Sequence, residues 1–281
     1  MRQRAPGYSL SSWLLKGSLD CFALTSRFHL VAHSSGLDRL VALLPSTSGW
    51  DKRSVMGAFF TNVQIRRGPY TSLEKIESAL DELAKQAGMV RGGPDADAYD
   101  RTIVVRAGEG NWISVYDEST EDQYTTDLDA LASLLSAATH STTVSILVHA
   151  SDVLLMGLFV GGKKVDEFNS NPMYMEGSLP ADMMPTAEQV AGAAGHAERW
   201  SHVLATGATP SMLTRVWQEK KLYAEEMLAG VAELLGCAMD RVRVGLNYFE
   251  FGEVPSTELL VLPYVFKGDG TVDEEERPEL N

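Results

Sequence analysis

Between Phe59 and Phe168 the apolar residues change period in a fixed order, and that order restricts the fold more than any other feature of the chain. Phe59 to Ile65 is β-rich and predicts a strand. Thr71-Ser72-Leu73-Glu74 follows with capping-box spacing, in which a hydroxyl accepts an early helix N–H while the glutamate reaches back. Leu73, Ile76, Leu80, Leu83, Ala84 and Ala87 then recur at helical spacing, and Gly88 acts as the stop. Val90 to Asp100, rich in Gly, Pro and Asp, reads as a loop. Thr102 to Arg106 and Trp112 to Tyr116 predict two strands joined through Gly108-Glu109-Gly110-Asn111. A second amphipathic helix runs from Asp127 and carries Leu128, Leu131, Leu134, Leu135 and Ala138 on one face. Thr143 to His149 is another strand. Val153 to Val160 and Lys163 to Phe168 make a hairpin about Gly161-Gly162, where glycine supplies positive φ. The order β-α-β-β-α-β plus a hairpin predicts an α+β fold over residues 56–170. In it, a ferredoxin-like antiparallel sheet has two helices on one face and an added β-hairpin.

After Asn169 the character changes, and a mainly helical C-terminal part is expected over residues 171–268. A Met- and Pro-containing connection reaches Pro185, and Thr186 to Gln189 has capping-box spacing before an Ala-rich helix. Thr209-Pro210 places a cap before proline at the first helical position. From Met212 to Leu235 the apolar residues keep helical spacing, ending at Gly236. Val244 to Phe251 and Leu259 to Phe266 read as strands, with Pro263 favouring an edge for the second. Residues 269–281 form an acidic tail with the composition of a disordered segment.

Charge narrows the partners. The chain of 281 residues carries a net charge of −14. Its first 55 residues hold seven Lys and Arg against three Asp, so the remainder carries −18. That balance argues against nucleic acid, because neutralising phosphates needs a basic face, and it fits a cationic partner. No stretch has the roughly 18 apolar residues of a membrane span, so a membrane location is not expected. Cys21 and Cys237 stand too far apart in sequence for a metal knuckle or a disulfide framework, which fits a reducing cytoplasm. The basic, Ser-rich first 55 residues read as an extension outside the fold that starts at Met56. An organelle transit segment and an additional helix near Leu37 to Leu44 are the other readings.

Several segments together resemble an uncharacterised bacterial protein family to which no activity is attached. They are Met56-Gly57-Ala58-Phe59-Phe60, Ser151-Asp152-Val153, Gly162 with Asp166-Glu167-Phe168-Asn169-Ser170, and Pro172 with Tyr174. Ala224-Glu225-Glu226, Leu234-Leu235-Gly236 and Val244-Gly245-Leu246-Asn247-Tyr248 complete the set. The resemblance implies a start at Met56 and no particular chemistry.

No phosphate-binding loop, dinucleotide fingerprint, nucleophile elbow, HExxH or CxxC motif is present. Three groups of residues are candidates. His149, Ser151 and Asp152 have the residue types of a hydrolytic triad, but neighbours on an extended chain face opposite ways, and a strand-end histidine bonded to backbone is expected. Asp152, Asp166 and Glu167, with Asn169 beside them, are oxygen ligands placed toward one end of the sheet, where Mg²⁺ or Ca²⁺ would be the natural occupant. Asn169, Ser170, Asn171 and Tyr174 form a turn about Pro172 that reads as turn chemistry or as a ligand-contacting loop. His196 and His202 fall on different helix faces and make no metal pair. Trp112, Trp200, Trp217 and Tyr223, with the Met-rich segment around Met173, Met175, Met183 and Met184, read as core and domain-junction packing, with an adaptable binding surface as the other reading.

The leading functional expectation is a non-enzymatic protein-binding or regulatory module, of the immunity or inhibitor sort, with a basic protein as partner. The rival is a small-molecule enzyme with a divalent-metal carboxylate site at Asp152, Asp166 and Glu167. A third reading is a homo-oligomer pairing through sheet edges.

Overall fold

The computed structural model describes residues 57–93, 99–174, 184–249 and 254–267. The N-terminal extension and Met56, part of the Gly-rich loop, most of the Met-containing connection, residues 250–253, and the acidic tail lie outside the described residues.

The eight strands are β1 (Phe60–Arg66), β2 (Met89–Arg91), β3 (Arg101–Arg106), β4 (Trp112–Asp117), β5 (Thr142–His149), β6 (Val153–Val160), β7 (Lys163–Asn169) and β8 (Leu259–Phe266). They form one sheet in the order β2-β8-β3-β4-β1-β5-β6-β7. Every neighbouring pair is antiparallel. The α-helices are α1 (Leu73–Gln86), α2 (Thr125–Thr139), α3 (Ala187–Gly192), α4 (Pro210–Gln218), α5 (Ala224–Leu235) and α6 (Met239–Val242). No helix among the described residues is long and apolar enough to cross a membrane.

Both faces of the sheet are covered. On one, Ile76, Leu80 and Ala84 of α1 and Leu128, Leu131 and Leu135 of α2 pack on Val63, Ile65, Val115, Leu147 and Leu155. On the other, Trp200, Leu213, Trp217, Leu228 and Val231 pack on Val144, Ile146, Leu154, Met156 and Phe168. This explains why β6 reads VLLMGLFV without alternation: a strand covered on both sides has no solvent face to mark with polar residues.

Local signals held with shifts of a residue or two. Ser72, rather than Thr71, caps α1 by accepting from Lys75 N, while Thr71 Oγ1 accepts from Gly68 N at 3.0 Å. Thr186 and Gln189 form the reciprocal capping box at the start of α3. The helical run from Met212 to Leu235 is divided into α4 and α5, with Glu219–Tyr223 between them.

Two expectations near the C-terminus are corrected. Residues 244–249 form no strand; a short 3₁₀ turn, Leu246–Tyr248, follows α6 instead. The strand nearest in space, β1, is already paired on both sides by β4 and β5. The segment therefore crosses over the sheet, and polar side chains of β1 meet its carbonyls. Asn62 Nδ2 donates to Val242 O at 3.0 Å and Val244 O at 2.9 Å. Gln64 Nε2 donates to Asn62 Oδ1, and Ser114 Oγ to Gln64 Oε1. Tyr116 donates to Arg241 O at 2.9 Å. Strand β8, in turn, is not at an edge but between β2 and β3. Pro263 is tolerated there because a residue's N and C=O face the same neighbour in an antiparallel strand. The Pro263 carbonyl accepts from Gly92 N, just past the end of the three-residue β2. Its missing N–H thus faces the outer side and leaves the ladder to β3 unharmed.

The sheet edges are short or covered. β2 has three residues. Along β7, Asn169 N donates to Ala193 O, Arg199 donates to Val165 O, and Phe168 bridges to Ala194. Edge-to-edge pairing, the route to a homo-oligomer, finds little free backbone here.

Candidate functional site

Strands β5 and β6 are joined by a two-residue turn in which Ala150 and Ser151 both have left-handed backbones, with φ of 54° and 59°. Asp152 N closes the turn on His149 O at 3.0 Å. Such a turn matches the twist of a hairpin and normally takes Asn-Gly, since an L-residue with a Cβ costs about 1–2 kcal/mol in this conformation. The surroundings hold the strained pair in place. Ala58 N donates to Ser151 Oγ at 2.7 Å, and Ser151 N donates to Ala58 O at 3.1 Å. Ala224 N, at the start of α5, donates to Ser151 O at 2.7 Å. Ser151 Oγ in turn donates to Glu225 Oε1 at 2.7 Å. Gly57 is required beside the turn, because a Cβ there would overlap the Ala150 carbonyl. The second carboxylate oxygen of Glu225 is buried and without a partner among the described residues.

His149 stands at the start of this turn. Gln123, another left-handed non-glycine residue at φ 62°, donates from Nε2 to Val148 O at 2.9 Å. That bond fixes the amide orientation, so Gln123 Oε1 faces His149 Nδ1 at 2.6 Å and His149 is the donor. Burial lowers the His149 pKa, with the charge of Asp152 opposing, so the ring is neutral near pH 7. A neutral ring protonated on Nδ1 carries its lone pair on Nε2. The ring meets Phe59 edge-on at 5.0 Å and Tyr174 edge-on at 5.6 Å. Burial raises the Tyr174 pKa, as does the nearby charge of Asp152.

The sequence candidates therefore divide. Tyr174 meets His149 edge-on with the charge of Asp152 acting on both, and His149, expected to be bonded to backbone, is bonded instead to a glutamine side chain. Asn169, Ser170 and Asn171 lie close by but are committed to the turn: Asn169 Oδ1 accepts from Asn171 N at 2.9 Å, and Ser170 Oγ accepts from Leu154 N at 2.8 Å. Tyr174 N donates to Asn171 O and completes the segment. The triad residue types do not form a triad. Ser151 is not extended next to His149 but turned toward Glu225.

The three carboxylates expected to share Mg²⁺ or Ca²⁺ do not converge. Asp166 pairs in register with Leu158, six residues along β6 from Asp152, which at 3.3 Å per residue is about 20 Å. Asp166 and Glu167 are consecutive on β7 and face opposite sides of the sheet. The buried Asp166 carboxylate accepts from His196 N (2.7 Å), His196 Nδ1 (2.9 Å), Trp200 Nε1 (2.8 Å) and Arg199 (3.3 Å). Glu167 instead pairs with Lys164, which also binds Asp129 of α2 at 2.8 Å. Among the described residues no group of three or more His, Cys, Asp or Glu is arranged to hold a metal ion. Asp117 is fully buried against Arg101.

One half-buried acid escaped the sequence reading. Glu121 Oε1 accepts from Leu246 N at 3.0 Å, and Oε2 accepts from Asn247 Nδ2 at 3.2 Å. Thr61 N and Oγ1 lie at 3.5 and 3.4 Å from Oε1. Burial pushes the Glu121 pKa up to about 7, against these donors. Gly245 is the residue that lets the chain approach so closely, since a Cβ would overlap the carboxylate. The Gly245-Leu246-Asn247 spacing was visible in sequence, but nothing marked Glu121 as its partner.

No protein family, curated protein or solved structure matches the chain.

Proposed function

We propose that the chain is a non-enzymatic protein-binding or regulatory module, of the immunity or inhibitor kind, whose partner is a basic protein. The observation that carries this reading is the pair Leu222 and Tyr223. They are 75% and 51% exposed, side by side, immediately before Ala224 is tied to the β5–β6 turn. Adjacent large apolar side chains left in water are the usual mark of a contact surface, and tyrosine is a favoured anchor at interfaces. The carboxylates of Asp152 and Glu226 are exposed in the same neighbourhood of the chain, and residues 56–281 carry a net charge of −18. A basic surface complements both features. The fold is of the ferredoxin-like kind in this proposal, supported by the run β3-β4-β1-β5 with α1 and α2 on one face. Residues 187–242 make up the helical C-terminal part. A cytoplasmic location accompanies it.

The rival enzyme with a divalent metal loses its motive, because Asp166 and Glu167 are each satisfied by other side chains on opposite faces.

The test is capture with a photo-crosslinking residue at position 222, followed by binding measurements on the purified partner. The expected result is a basic protein whose affinity falls with salt and drops at least about tenfold in Leu222→Asp. Absence of any saturable protein partner across several salt concentrations would overturn the reading.

A further inference from the structure

We propose that His149, Asp152 and Tyr174 form a receptor for one arginine guanidinium presented by the basic partner; the inference rests on the binding-module reading. His149 presents an unprotonated Nε2, because Nδ1–H is spent on Gln123 Oε1 and Gln123 is itself locked onto Val148 O. No described residue bonds that Nε2. Asp152 is exposed and its charge reaches the ring. Tyr174 adds an aromatic ring at 5.6 Å from the imidazole, and Asp152 lies near enough for its charge to act on the phenol.

Two acceptors and an aromatic ring, with no cation among them, are complementary to a group that has only donors. A guanidinium is that group: it is planar, carries five N–H donors and no acceptor, and stacks on aromatic rings. An anion or a carbonyl would meet lone pairs and a carboxylate.

The backbone gives a second, separate reason to expect recognition here. Of the non-glycine residues with positive φ, Gln123, Ala150 and Ser151 all lie around His149, while His140 merely ends α2. Strain persists only where surrounding contacts impose it. Here those contacts are the Ala58 and Ala224 bonds and the Glu225 carboxylate, which together fix the direction of the His149–Asp152 turn. Receptor groups held this way lose little freedom on binding.

Acidity supplies a signature. Asp152 is the charged group that acts on His149, while Phe59, Gln123 and Tyr174, packed on the ring from other elements, bring no charge. As pH falls below the ordinary imidazole range, Nε2 takes a proton and the acceptor becomes a cation, which repels a guanidinium.

The test uses the full chain labelled with ¹⁵N and three peptides: acetyl-Gly-Arg-Gly-amide, its lysine counterpart and its neutral citrulline counterpart. Expected are saturable amide shifts at residues 149–152, 171, 173 and 174 with the arginine peptide. Shifts should be weaker with lysine and absent with citrulline. Asp152→Asn should weaken arginine binding about tenfold while the rest of the spectrum stays unchanged. Acidification should weaken binding to the native chain and not to His149→Gln. Equal shifts from citrulline, undiminished binding in Asp152→Asn, or no shifts at about 20 mM peptide, a weaker interaction than a millimolar site, would each overturn the proposal. Partner capture that persists in Asp152→Asn and His149→Gln overturns the receptor and leaves the binding-module reading standing. Peptide binding without any protein partner does the reverse.

Discussion

The Ser151 hydroxyl donates to Glu225 Oε1 at 2.7 Å, joining a hairpin turn to the first turn of a helix 74 residues further along the chain. The same oxygen accepts from Ala58 N, so one side chain ties together the entry to β1, the β5–β6 turn and α5. Ser151→Ala should therefore lower stability by about 1–3 kcal/mol, because it leaves the Ala58 N–H and the Glu225 carboxylate short of a partner. Glu225→Gln should cost less on its own. A double-mutant cycle in urea should return a coupling above about 0.5 kcal/mol. Additive effects would mean that the bond contributes nothing.

Ala150 offers the opposite sign. At φ 54° it holds no side-chain bond in the turn, so Ala150→Gly relieves strain of about 1–2 kcal/mol against an entropic cost of about 0.4–1 kcal/mol. A small net rise in the thermal midpoint is expected. A fall would show that the alanine methyl packs usefully.

Glu121 governs a pH dependence. Its folded pKa is near 7 and thus above the unfolded value, so the native state holds more protons across the interval between about 4.3 and 7. Stability from this group is complete below that interval and is lost as pH rises through 7. Denaturant midpoints measured from pH 4.5 to 8 should show this decline, and Glu121→Gln should flatten it. A slope unchanged by the substitution would contradict the assignment.

His149 acts in the other direction. Its folded pKa is depressed, so the unfolded chain binds more protons just below the ordinary imidazole value of about 6.5. The stability it contributes is present above that value and is lost as pH falls through the folded pKa. The ¹⁵N-detected titration of the ring should place Nδ1 as the protonated nitrogen at pH 7.

Asp166 is the most demanding single position. Asp166→Ala removes the acceptor for Trp200 Nε1, His196 Nδ1 and His196 N in one step. The buried Trp200 donor left unsatisfied costs about 1–3 kcal/mol, whereas the exposed His196 ring can turn to water. Urea unfolding should show a loss of about 1–3 kcal/mol, and Asp166→Asn, which keeps an acceptor oxygen, a smaller one.

What was legible in the sequence was whatever is written locally. The strands Phe60–Arg66 and Val153–Val160, the helices after Ser72 and Pro210, and the Thr186–Gln189 capping box follow from periodicity and from side-chain-to-backbone bonds within one turn. What stayed hidden was what depends on partners remote in sequence. Pro263 misdirected β8 because its tolerance depends on how short β2 is. Val244–Phe249 looked like a strand because its apolar residues alternate, but β1 had no free edge to pair it. Asn62 and Gln64 signal that outcome only in retrospect, as polar side chains buried in a strand. For the site, Asp152 and Tyr174 were singled out, whereas Gln123, Glu225 and Glu121 carry no local motif. Asp166 and Glu167 were grouped by proximity along a strand whose alternation separates them.

The place of β8 sets an order of events at the ribosome. Its Leu262 and Tyr264 complete the layer under α1, and β2 pairs with β8 alone. A nascent chain that has released everything up to β7 still lacks the strand that joins β2 to the rest. Until residues 259–266 clear the exit tunnel, β3, which carries Ile103 and Val105, is an open edge. The interval between emergence of Arg106 and of Phe266 is then the period in which a growing chain is most prone to pair with a neighbour.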